Sequence, residues 1–138
     1  MSESGKGGAG DWIHSGKVKA RETAEGIEIH IDGLTTQGRY YKPLVYEFFR
    51  KEWKGGRPAW GDYAVEIRME HIGDPPWMDL DNLAKALLDA IKGFVFHDDS
   101  QVARLLVERH EGEREHIQIK VYALKRPVRA GGPGPLEP

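Results

Sequence analysis

The sequence of 138 residues contains no cysteine. That excludes a disulfide framework and a zinc–thiolate site, and it leaves the redox compartment unconstrained. Long apolar runs are missing as well. None approaches the roughly 20 residues that a spanning helix needs. The opening MSESGKGGAG has no apolar stretch and does not read as a secretory signal. No internal repeat is visible. These absences leave a single small domain, cytoplasmic and without membrane contact, as the expectation.

What is present has an uneven charge. The formal net charge is −2. Residues 39–57 carry six bases (Arg39, Lys42, Arg50, Lys51, Lys54, Arg57) against two acids, whereas residues 61–100 carry nine acids against three bases. A basic segment beside an acidic one suits a phosphate-bearing ligand held near a cation site. Chance variation of surface charge accounts for the same numbers.

The ends, 1–10 and 127–138, are rich in Gly, Ser and Pro and cannot bury enough apolar surface to order. Residues 1–25 are expected as a flexible extension, although Trp12, Ile13 and Val18 suit a short hairpin around Ser15–Gly16. Residues 26–125 are expected as the domain and 126–138 as a disordered tail. GIEIHID (26–32) alternates strictly and predicts a half-buried strand. The loop GLTTQGRYY is expected to bring Arg39, Tyr40 and Tyr41 to the surface. KPLVYEFFRKEWK (42–54) predicts a helix with Pro43 in its first turn. DYAVEIRMEHI (62–72) alternates again. DLDNLAKALLDAIKG (79–93) has the strongest helical stripe, through Leu80, Leu83, Ala84, Leu87, Leu88 and Ile91. FVF reads as a short strand. Segments 101–111 and 115–124 read as two strands of an antiparallel hairpin. The order predicts an α+β domain, a mixed sheet with two principal helices packed on it.

Four acids frame the second helix. Asp79 and Asp81 open it, and Asp98 and Asp99 follow it. As an N-cap and a first-turn acid, Asp79 and Asp81 need no further purpose. A helix of about 14 residues runs roughly 20 Å, and an extended GFVFH covers most of that distance on the way back. Asp98 or Asp99 is therefore expected beside Asp79 and Asp81. Such acids repel unless a cation neutralises them, and a hard ion such as Mg²⁺ accepts two or three carboxylates. An EF-hand is excluded, because its sixth position is Ala84 rather than glycine. Lys85, one turn beyond Asp81, suits either an i, i+4 ion pair or a cation for a phosphate. His97 is expected as a solvent-facing turn residue.

The stretch DLDNLAKALLDAIKGFVFHDDSQV resembles the signature of RusA-like Holliday-junction resolvases. The shared features are an Asp-x-Asp-Asn-Leu-x-Lys helix start, a Leu-Asp-Ala-Ile body, a glycine, a short apolar segment, then Asp-Asp-Ser-Gln. The likeness covers roughly residues 76–110. It implies a homodimeric, Mg²⁺-dependent endonuclease, with Mn²⁺ as a substitute, that resolves four-way branched DNA by paired nicks and leaves 5′-phosphates. It implies metal ligands at Asp79, Asp81 and Asp99 and a catalytic lysine at Lys85, with Asp98 a neighbour and Asn82 orienting the site or capping the helix. Arg39, Lys42, Arg50, Lys51, Lys54 and Arg57 become the expected DNA contacts. PPWM stands where such proteins often have a basic residue and proline, and DGLTTQGRYYKP replaces a more basic loop. Two alternatives stay open: a non-catalytic branched-DNA-binding module, and a Mg²⁺ nuclease for flaps or forks.

Overall fold

The computed structural model describes residues 10–124. The expected tail at 126–138 and the first nine residues lie outside the described residues. The elements run β1 (Ile13–Ser15), β2 (Val18–Glu22), β3 (Gly26–Asp32), α1 (Tyr41–Glu52), β4 (Tyr63–His71), α2 (Leu80–Ile91), β5 (Val102–Glu111) and β6 (His116–Ala123). One six-stranded sheet has the order β1-β2-β3-β6-β4-β5. It is mixed: β4 and β5 are parallel, and the other neighbours are antiparallel. The expected α+β architecture of two helices on a mixed sheet is present.

Strand alternation decides which face is covered. Ile29 and Ile31, Val65, Ile67 and Met69, and Ile117 and Ile119 are all fully buried. They meet Val45, Phe48 and Phe49 of α1 and Leu83, Leu87 and Ile91 of α2 in one core. Burying each of these large side chains contributes about 1.5–3 kcal/mol. The intervening residues build a polar face: Arg21 pairs with Glu28, Arg68 with Glu108, and Gln118 donates to Glu28. Among the described residues no helix is long and apolar enough to cross a membrane.

Four expectations need correction. First, the flexible extension over 1–25 does not hold for its second half. Residues 13–22 form β1 and β2 at the sheet edge, because Val18 and Ala20 point inward and are buried against β3. Second, β5 and β6 are not a hairpin, because β4 lies between them. A parallel β4–β5 pair needs a crossover, which α2 supplies, so β5 takes the outer side of β4 and β6 the inner side. Residues 112–115 then cross the end of β4, about two strand spacings or roughly 9.6 Å. Glu70 of β4 fastens this crossing by accepting from the N–H groups of Glu113 and Arg114 and from His116 Nε2. Gly112 leaves room for the Glu70 carboxylate, where a Cβ would collide. Third, GFVF is a turn rather than a strand. Gly93 has φ +89, and Phe94 and Val95 both donate back to Ile91 O. Fourth, Tyr41 is buried in the core, not at the surface, and its hydroxyl accepts from Thr35 N at 2.9 Å.

Candidate active site

The approach to α2 is fixed by Pro75 and Pro76, which disfavour helix for the residue before each. Asp79 is the N-cap with extended φ −73 and ψ 137, yet its side chain makes no capping hydrogen bond. The capping explanation therefore fails to occupy Asp79, whose carboxylate has no partner among the described residues. Asp81, in the first turn, accepts from Asn82 N at 3.0 Å. Helical spacing then carries Asp81, Lys85 and Asp89 up one stripe.

That stripe divides two depressions. A groove of about 520 Å³ runs between α2 and the edge strand β5 and is lined by Asp81, Lys85, Asp89 and Asp99 over a floor that includes Leu105 and Val107. A wider cleft of about 1010 Å³ opens on the other side, where Asp79, Asn82, Arg39, Lys42, Arg109 and Trp77 line it. Lys85 and Asp89 border both. Lys42 of α1 comes within 3.9 Å of Asp89, an exposed pair worth little in stability.

The three expected ligands are only partly assembled. Asp81 and Asp99 share the groove, whereas Asp79 faces the cleft. Among the described residues no three His, Asp or Glu side chains stand close enough to hold one ion. The cause is the turn at 93–95. The chain does not run back along α2 but enters β5 from the C-terminal end of the helix, so Asp99 approaches from the end opposite Asp79. The donor chemistry still fits a hard divalent cation. All three side chains offer only oxygen, all three residues are exposed, and Asp79 and Asp99 carry no hydrogen bond from a described residue. The fit is to a partial set of ligands, which suits an ion that keeps waters and takes phosphate oxygens.

Asp98 and Asp99 have different surroundings. Asp98 is the N-cap of the 3-10 turn Asp99–Gln101 and accepts from Ser100 N at 2.9 Å in a reciprocal capping box with Gln101. The hydrogen bonds from Ser100 hold its carboxyl below the usual range. Gln101 is buried and commits its whole amide. Its Oε1 accepts from His97 N and Asp98 N, and its Nε2 donates to Ala59 O and Gly61 O. His97 does not face solvent as expected. Its Nε2 donates to Pro58 O at 2.9 Å, and its ring stacks on Trp60.

The expected DNA contacts separate into groups. Arg39 and Lys42 line the cleft. Arg50 and Lys51 pair with Glu47 on the outer face of α1. Lys54 and Arg57 are exposed in the segment between α1 and β4. Arg109 was not expected, although the sequence carried a signal. Leu105, Val107 and Arg109 alternate onto the helix-covered face, and a charge on an apolar stripe is the anomaly to notice. Trp77, 92% exposed at the cleft, was equally unremarked.

No curated protein matches the chain. The family model described as endodeoxyribonuclease RusA matches residues 37–122. That span runs from the 3-10 turn bearing Arg39 through both helices into β6, and so contains Asp79, Asp81, Lys85, Asp98 and Asp99. The chain belongs to the endodeoxyribonuclease RusA family.

Proposed function

We propose that this chain is a divalent-metal-dependent endonuclease that resolves four-way DNA junctions by paired nicks, working as a homodimer. One observation carries the reading: within the segment that matches the family, Asp81, Lys85 and Asp99 line a single groove beside a cleft bearing Arg39, Lys42 and Arg109. Asp81 and Asp99, with Asp79 from the adjoining cleft, would hold the cation together with phosphate oxygens of the DNA. Mg²⁺ bound there supplies an activated water and neutralises charge on the scissile phosphate. Lys85, on the ridge between the depressions, offers its ammonium to the same phosphate as negative charge grows in the transition state. Arg39, Lys42 and Arg109 hold neighbouring phosphates, which makes binding sensitive to salt. Trp77 gives the cleft an apolar rim.

Paired nicks call for two sites related by a two-fold axis. The β5 edge suits a second copy. Antiparallel self-pairing centred on Leu106 sets Arg104 opposite the partner's Glu108 and Leu105 opposite the partner's Val107, each twice. Leu105 and Leu106 are both 44% exposed in the single chain.

The test is a synthetic four-way junction with Mg²⁺ or EDTA. Asp81→Asn is expected to abolish metal-dependent cutting and leave junction binding intact. Undiminished cutting by that variant sinks the assignment. Binding without any cutting by the parent favours the non-catalytic module, and preferential cutting of competing flaps or forks favours a different branched substrate.

A further inference from the structure

A second feature lies next to Asp99 and is absorbed by neither depression. Trp60 is 73% exposed, yet one face of its ring is fixed. It lies on the His97 imidazole with centroids 4.0 Å apart and planes 16° from parallel. His97 is tied to Pro58 O through Nε2 and to Gln101 Oε1 through its backbone N–H. Gln101 also holds the carbonyls on either side of Trp60, those of Ala59 and Gly61. Ala59 N donates to the Tyr63 hydroxyl at 3.0 Å. Gly61, at φ +120, turns the chain immediately after the tryptophan. The result is a large aromatic surface, open on one side and supported on the other by the His97 ring, itself anchored by a buried amide with no unused hydrogen-bonding atom. Exposing indole to water stabilises nothing. Immobilising it removes in advance the rotamer entropy that a stacking ligand would otherwise cost.

We infer that the open face of Trp60, whose stacking partner His97 lies two residues before Asp99 in the chain, is a stacking site for an unpaired nucleobase. The ligand class follows from the surroundings. Asp98, and Asp99 when no cation is bound, repel a phosphate at that spot, whereas the π-face of a base is neutral and stacks on indole whatever its sequence. Lys54 and Arg57, exposed in the same segment and without an ion pair among the described residues, supply backbone attraction on the other flank. The inference takes its choice of a nucleic-acid ligand from the nuclease reading. In function, the site would hold a base displaced from the helix beside the cut.

The experiment measures binding of the full chain to a fluorescent short oligo(dA) and to an abasic oligomer of equal length, both in EDTA. Trp60→Ala is expected to weaken oligo(dA) binding about 5- to 100-fold. Trp60→Phe, which preserves the stack on His97, should retain most of the affinity. Neither change should alter binding of the abasic oligomer or the salt dependence, because no phosphate contact is lost. Three results overturn the proposal: unchanged affinity of Trp60→Ala for oligo(dA), an equal loss on both oligomers, or a parent protein that does not prefer the base-bearing one. Because EDTA removes the chemistry, failure to cleave junctions would count against the nuclease reading and leave this affinity difference standing.

Discussion

Replacing Gln101 by leucine tests the joint between the Asp98–Asp99 turn and the Trp60 segment. The volumes are similar, so packing changes little. The polar loss is large: two backbone N–H groups and two backbone carbonyls each lose a hydrogen bond, although Ala59 O keeps the one from the Tyr63 hydroxyl. At a net value of about 1 kcal/mol per hydrogen bond, with water reaching some of the freed groups, Gln101→Leu is expected to cost about 2–4 kcal/mol. With a urea slope of roughly 1.5–2 kcal/mol/M, the unfolding midpoint falls by about 1–2.7 M. Gln101→Glu separates the two halves of the amide. Its carboxylate still accepts from His97 N and Asp98 N but faces the oxygens of Ala59 and Gly61. Its folded-state pKa should therefore rise, and the lost stability should return as pH falls and the carboxyl protonates. Equilibrium urea unfolding followed by circular dichroism, at neutral and at mildly acidic pH, reads both effects. A Gln101→Leu midpoint within about 0.3 M of the parent, or a Gln101→Glu variant indifferent to pH, refutes the reasoning.

Three other perturbations separate the parts of the molecule. Hydrogen bonds, first from His116 and then from the N–H groups of Glu113 and Arg114, pull the Glu70 pKa from 4.5 down to about 2. The stability this gives is complete above 4.5 and drains away as pH falls towards 2, so Glu70→Gln should flatten that acid limb; urea midpoints across the window check it. Asp98→Ala should lower the thermal midpoint, by less than Gln101→Leu does, and spare junction cleavage. Asp99→Ala should do the reverse, and matched melting and cleavage assays compare the pair. Leu106→Arg should leave a folded monomer, visible in sedimentation at micromolar concentration, and dimers of unchanged strength would remove β5 as the interface.

Periodicity carried the expectations that succeeded. Strict alternation in 26–32 and the stripe through Leu83, Leu87 and Ile91 each describe one element against one core, so one sequence suffices. Alternation says nothing about which strand lies beside which. The hairpin expected of β5 and β6 looked sound locally and was overridden by the α2 crossover, which claimed the outer side of β4 for β5. The N-terminal hairpin around Ser15–Gly16 was legible as an alternative to a flexible extension, but its joining the sheet was not, because only Val18 and Ala20 mark an inward face among polar neighbours. Tyr41 escaped because its hydroxyl, satisfied by Thr35 N, lets a residue from a polar run enter the core. At the candidate site the motif supplied residue types and spacing. It could not supply the path of GFVF, and that path decides how far Asp99 lies from Asp79.

The position of β6 has a consequence for synthesis. It is the final strand of the described chain, yet it pairs with β3 on one side and β4 on the other. Until it leaves the ribosome, the earlier strands exist as two unjoined half-sheets. Each has an open inner edge, carrying Ile29 and Ile31 in one case and Val65 and Ile67 in the other. Unpaired strand edges beside exposed apolar residues are templates for pairing between chains. A stop codon or a protease cut upstream of His116 therefore yields two adhesive fragments of sheet on one polypeptide, a seed for aggregation more than a shortened nuclease.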